Sequence, residues 1–151
     1  MADSYEVTGA QDVTTATPGD TAVSLNGVTT TRGRVVEWVS TFGGTPADNA
    51  IRLIAQRFTA SGTGSAVTPA EDDLDGPAAL ITVEENHSAE PTYTAAGELF
   101  DQIPNQRATF RWVAVPEKAW RIPAASDSGI GWVAFHASYT GSHEMSVGWF
   151  E

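Results

Sequence analysis

The residues able to do acid–base, nucleophilic or metal chemistry are three histidines, His87, His136 and His143, and 19 carboxylates. Ser88 and Ser142 adjoin two of the histidines, so a serine nucleophile with a histidine base is conceivable. No G-x-S-x-G elbow presents such a serine on a strand-to-helix turn. His143-Glu144 opens like a zincin helix, but Val147 stands where the second His must fall four residues on. His136 therefore reads as a hydrogen-bonded packing residue on a strand, and His87 as an anchor of a loop.

The carboxylates give no firmer reaction centre. Glu71-Asp72-Asp73-Leu74-Asp75-Gly76 imitates the start of an EF-hand calcium loop, yet the twelfth position is Thr82 rather than a bidentate Glu. A solvated acidic loop is the better expectation. Glycoside hydrolysis needs two carboxyls facing across a cleft, and Glu84, Glu85, Glu90, Glu98 and Asp101 offer too many pairs for any one to be informative. Gly62-Thr63-Gly64 is too short for a phosphate loop and lacks the following Lys. Cysteine is absent, which removes disulfides, thiolate metal sites and thiol nucleophiles. Five tryptophans, Trp38, Trp112, Trp120, Trp132 and Trp149, raise sugar stacking as a possibility, with Trp120 and Trp132 as the surface candidates; the others lie in strand patterns where a core position explains them. The expectation is a binding protein with no cofactor, no metal and no catalysis.

The elements that would position these residues are strands. Gly, Pro, Thr, Ser and Ala punctuate the chain about every ten residues, and the segments between them alternate with period two. In Arg107 to Val115, Ala108, Phe110, Trp112 and Ala114 share one face while Arg107, Thr109 and Arg111 share the other. Arg34 to Phe42 aligns Val36, Trp38 and Phe42; Thr92 to Ile103 aligns Tyr93, Ala95, Leu99 and Ile103; Ile130 to Tyr139 aligns Val133, Phe135 and Tyr139; Met145 to Phe150 aligns Met145, Val147 and Trp149. Weaker strands fall at Tyr5 to Thr8, Thr21 to Leu25 and Trp120 to Ile122. About eight strands in a chain of 151 residues fit one all-β domain, residues 1–151, of jelly-roll-like sandwich or barrel form.

Thr45-Pro46-Ala47-Asp48 has the form of a helix start, and Ile51, Ile54, Ala55 and Phe58 follow at helical spacing. Ile51, Leu53 and Ala55 also alternate, so residues 45–58 fit either state, and the β surroundings favour a strand. Two stretches, Ala60 to Leu80 and Glu84 to Pro91, read as long loops. Residues 1–20, rich in Thr, Gly and Asp, read as an extended arm or a solvated tail.

Net charge is −11, which repels phosphate backbones and anionic lipid, so neither nucleic acid nor a membrane is an expected partner. No export signal is visible at the N-terminus, and no apolar run approaches the ~18 residues of a membrane span. Seven of the eight basic residues are Arg, the cation suited to fixed, partly desolvated contacts.

Five stretches, Thr45 to Ala50, Gln56 to Ala60, Ala66 to Pro69, Glu85 to Thr94 and Asn105 to Ala114, resemble small virion proteins encoded beside the major capsid protein in tailed bacteriophages. The similarity spans most of the chain from about residue 25. It implies a head decoration, or cement, protein on the outer surface of the capsid, bound to the major capsid protein and typically homotrimeric. Within that picture Glu85, Asn86, His87, Glu90, Arg107 and Arg111 are the candidate subunit or capsid contacts. The alternatives are another virion component, such as a tail or fibre-associated β domain, and a carbohydrate-binding module.

Overall fold

The computed structural model describes residues 2–13, 19–115, 117–135 and 139–151. His136 lies outside them. Among the described residues there are twelve strands and no helix: β1 (Ser4–Val13), β2 (Asp20–Asn26), β3 (Arg34–Phe42), β4 (Arg52–Ala60), β5 (Thr63–Val67), β6 (Ala70–Glu71), β7 (Thr82–Ala89), β8 (Thr92–Gln102), β9 (Phe110–Val113), β10 (Trp120–Arg121), β11 (Gly129–Phe135) and β12 (Gly141–Phe150). They form two antiparallel sheets. The front sheet runs β10-β3-β12-β1-β6, with β9 also paired to β3; the back sheet runs β5-β7-β2-β11-β4-β8.

The all-β expectation holds at this level, and the differences have identifiable causes. The stretches expected to be loops contain β5, β6 and β7, whose Gly, Ser and polar residues give no apolar alternation because much of each strand is exposed. The weak strand expected at Tyr5 to Thr8 is part of β1, which extends through residues read as an arm or tail and pairs along its full length with β12 from Ser4↔Phe150 to Val13↔Gly141. The ambiguous stretch resolves as β4, where Leu53, Ile54, Ala55 and Phe58 are all buried. Burial on both faces explains its mixed period, since an interior strand needs no polar side. The alignment of Val36 with Trp38 fails: Gly148 pairs with Glu37 but Trp149 with Val35, so Val36 is an extra residue that reverses the alternation. Val35, Trp38, Ser40 and Phe42 are the buried residues of β3.

The two sheets close on one aromatic cluster. The Trp38 ring, fully buried, stacks on Phe110 at 5.3 Å and meets Trp112 at 6.4 Å and Trp120 at 6.3 Å from its own sheet. From the back sheet it meets Phe100 edge-on at 5.0 Å and Trp132 at 6.5 Å. Trp132 is therefore core, not a surface candidate, and Trp120 is half-buried with its ring stacked 4.1 Å from Trp112. Tyr5, Val7, Met145, Val147 and Trp149 continue the core in front; Val23, Leu25, Leu53, Val83 and Ile130 face them from behind.

Removing the Trp38 ring leaves a large cavity shared by both sheets, so Trp38→Ala should cost about 3–5 kcal/mol. Val113, 53% exposed on the outer side, offers the contrast: Val113→Thr should change stability by no more than about 0.5 kcal/mol. Urea denaturation of both variants checks this, and equal losses would show that the cluster does not hold the sheets together.

Candidate functional site

Among the described residues there are two serine–histidine pairs, and neither can meet a substrate. In the back sheet Ser24 Oγ lies 3.1 Å from His87 Nε2, while His87 Nδ1 lies 3.1 Å from the Thr21 carbonyl. A carbonyl can only accept, so Nδ1 carries a proton and donates to it, leaving Nε2 to face Ser24. The nearby carboxylate of Glu84 is 3.9 Å from Nε2, the nitrogen already facing the serine, not from Nδ1, where a triad acid acts. Ser24 is fully buried. In the front sheet Ser40 Oγ lies 2.8 Å from His143 Nε2, and the imidazole stacks on Phe42 at 4.9 Å with no acid beside it. Burial pushes the His143 pKa down to about 3, so the ring is neutral.

The six residues expected to share a contact are dispersed by the fold. Asn86 has φ 48°, in the left-handed region that Asn tolerates, and the β5–β7 register slips beside it. This irregularity separates its neighbours. Glu85 turns toward β1, where Oε2 accepts the Ala10 backbone N–H at 2.8 Å. His87 is buried, and Glu90 accepts from the Thr21 N–H at 3.2 Å and from its hydroxyl, which also meets Tyr93 Oη at 2.6 Å. Desolvation raises the Glu90 pKa, partly offset by the Thr21 hydrogen bonds. These groups form a polar inlay of the back sheet. Gly131 makes room for it, since a Cβ there would overlap the Tyr93 hydroxyl.

The two arginines also part. Arg107 sits in the turn before β9, its Nε donating to the Pro46 carbonyl at 3.2 Å, and so does not share a strand face with Arg111. Arg111 is exposed on β9 and pairs with Glu37 at 2.6 Å. Among the described residues no three His, Asp or Glu side chains converge as metal ligands; Glu71 ends β6, and residues 72–75 form a turn in which the Asp73 carboxylate accepts the Asp75 N–H at 3.1 Å.

What the fold does assemble is the outer face of the front sheet. Strand register places side chains in rows across it: Arg121, Arg34, Phe150 and Ser4; then Val113, Glu37, Gly148 and Glu6; then Arg111, Val39, Ser146 and Thr8. Small and β-branched residues make the middle of this face shallow. A groove of about 500 Å³ opens where Thr8, Ala10, Val39, Thr41, Glu144 and Ser146 meet beside Glu85. Apolar groups remain on show: Val113, and Phe150 with 38% of its surface exposed. Arg34, Arg121 and Phe150 belong to no chemical motif in the sequence. Their one sequence signal is outward phase on strands whose other side is apolar, and the bulge at Val36 conceals it.

The His143 titration gives a stability test. A folded pKa near 3 against an ordinary 6.5 means that the unfolded chain takes up the proton first, so the contribution is intact above about pH 6.5 and is lost as pH falls toward 3. Glu90, with its raised pKa, contributes in the opposite sense, gaining stability as pH falls through that value. Comparison with the double variant Ser40→Ala, His143→Phe isolates the histidine: the urea midpoint of the native chain should fall more steeply from pH 6.5 to 4 than the variant's. Parallel curves would exclude a buried neutral imidazole as the source.

No family model, no curated protein and no solved structure matches the chain.

Proposed function

We propose that this chain is a virion structural protein, a decoration protein that binds the outer surface of a tailed-phage capsid as a homotrimer and stabilises the lattice. The observation that carries the proposal is the outer face of the front sheet: shallow and grooved, with arginines and exposed apolar side chains on a two-sheet body. Arg and aromatic residues are the types enriched where protein surfaces meet. We further infer a jelly-roll-like class, supported by the way β1 to β4 alternate between front and back sheets, as do β11 and β12.

The mechanism follows from mass action. A protein that binds the expanded shell and not the ruptured one shifts the equilibrium toward the intact shell at each occupied site. Nothing in this requires a reaction. It requires a body that does not deform under load, and the residues flanking β1 and β12 are tied down accordingly. Glu151 accepts the Leu80 and Ile81 N–H groups at 2.9 Å, and its own N–H bonds the Asp3 carbonyl at 3.0 Å.

Purified protein should add to undecorated heads and raise their resistance to heat and osmotic shock; stripped heads that withstand both equally well would remove the proposal. Arg111→Glu should weaken head binding by about tenfold while leaving the fold intact, because it exchanges an exposed ion pair for a repulsion beside Glu37. Retention on a glycan array without particle binding would instead favour a carbohydrate module.

A further inference from the structure

The basic residues are not scattered. Trp120-Arg121 of β10 pairs with Val35 and Arg34 of β3, which sets two exposed arginines directly opposite each other. Arg57 joins them from the back sheet, its Nη1 donating to the Arg121 carbonyl at 2.8 Å. Arg32 lies two residues before β3, and Lys118 two before β10. Arg34, Arg57 and Arg121, three of the eight basic residues of a chain with net charge −11, thus gather at one edge of the front sheet, with Arg32 and Lys118 close by in sequence. Among the described residues no salt bridge involves any of the five. Like charges set directly opposite on paired strands cost stability in the isolated chain.

The other edge of the same row is acidic. Arg121, Arg34, Phe150 and Ser4 follow one another across the sheet, and the Asp72 N–H then bonds the Ser4 carbonyl at 3.1 Å. Asp72 opens a turn closed by the Gly76 N–H on the Asp73 carbonyl at 2.8 Å, and this turn holds Leu74 out into solvent, 96% exposed among three aspartates. Basic and acidic edges stand four strand spacings apart, about 19 Å, at the same end of one face.

We infer that the partner of the Arg34–Arg121 edge is a second copy of this chain, docked head to tail, with its Asp72–Asp75 turn against the two arginines and Leu74 against the exposed ring of Phe150. The two surfaces complement each other in charge and in apolar character, and they occupy opposite edges, so a contact of one on the other is heterologous and closes into a ring of three when successive copies are related by a three-fold rotation. This deepens the proposed trimer and rests on that reading for the number of copies alone. The basic edge set against its own copy would place arginine on arginine; a head-to-tail contact sets arginine on acid at every interface.

The full-length protein alone, with no particles present, tests this by light scattering on a sizing column at low and at high salt. The native chain should be an oligomer whose association weakens as salt rises. Arg34→Glu with Arg121→Glu, and separately Asp72→Arg with Asp75→Arg, should each weaken association by more than about tenfold with unchanged circular dichroism. Asp73 is spared because it shapes the turn. The chain carrying all four substitutions should associate again, a rescue that mere destabilisation would not give. Leu74→Ser, at a fully solvated position, should weaken association without touching the fold. A native chain that is monomeric at low salt, or reversals that leave its association unchanged, would overturn the inference. Head binding is scored separately, so a chain that self-associates as described yet ignores heads would sink the decoration proposal and not this one.

Discussion

The rest of this molecule depends on Trp38 lying where both sheets can reach it. One indole, with no exposed surface, touches aromatic rings from β8, β9, β10 and β11. Rings packed at such distances gain both from removal of apolar area from water and from the complementarity of ring edge and ring face. The short strands β9 and β10, four and two residues long, have little ladder of their own to hold them. They remain on the edge of β3 because Phe110, Trp112 and Trp120 are gathered into this cluster, and it is they that carry Arg111 and Arg121 on the opposite side.

The backbone polar groups impose the second constraint. A sandwich has edges, and an edge presents unpaired N–H and C=O groups. Here β6 covers β1 only at Tyr5 and Glu6, and further along the carboxylate of Glu85 takes the Ala10 N–H. At the chain end Glu151 serves two backbone N–H groups and the Trp149 indole N–H. Acidic side chains are thus used as acceptors that finish the sheets. The same economy appears behind, where Thr21, Ser24, His87, Glu90 and Tyr93 satisfy one another under partial burial. His87 and Glu90, of the residue types that most suggest chemistry in a sequence, here complete hydrogen bonds with Thr21 and Ser24.

Charge placement is the feature of this surface that composition conceals. A net charge of −11 suggests a uniformly acidic particle. The fold instead gathers Arg34, Arg57 and Arg121 from three distant parts of the chain at one edge and leaves Asp72, Asp73 and Asp75 at the other. Each front-sheet face therefore carries its positive and negative ends in the same row, which is the arrangement that favours ordered contact over general repulsion.

The residues by themselves determined the class of structure. Alternation along Phe110 to Val113 and along Met145 to Trp149 told inside from outside correctly, because a half-buried strand must segregate its side chains. Alternation carried no information for β4, buried on both faces, or for β5 and β7, largely polar, so those strands came from pairing and not from pattern. Tertiary structure alone decided the bulge at Val36, which turned Trp38 and Arg34 to their working sides, and the irregularity at Asn86, which sent Glu85 and His87 apart. The physical reason is the same in both cases: a register shift is a property of two strands together. Residues whose role depends on a neighbour across the sheet cannot be found by reading along one chain.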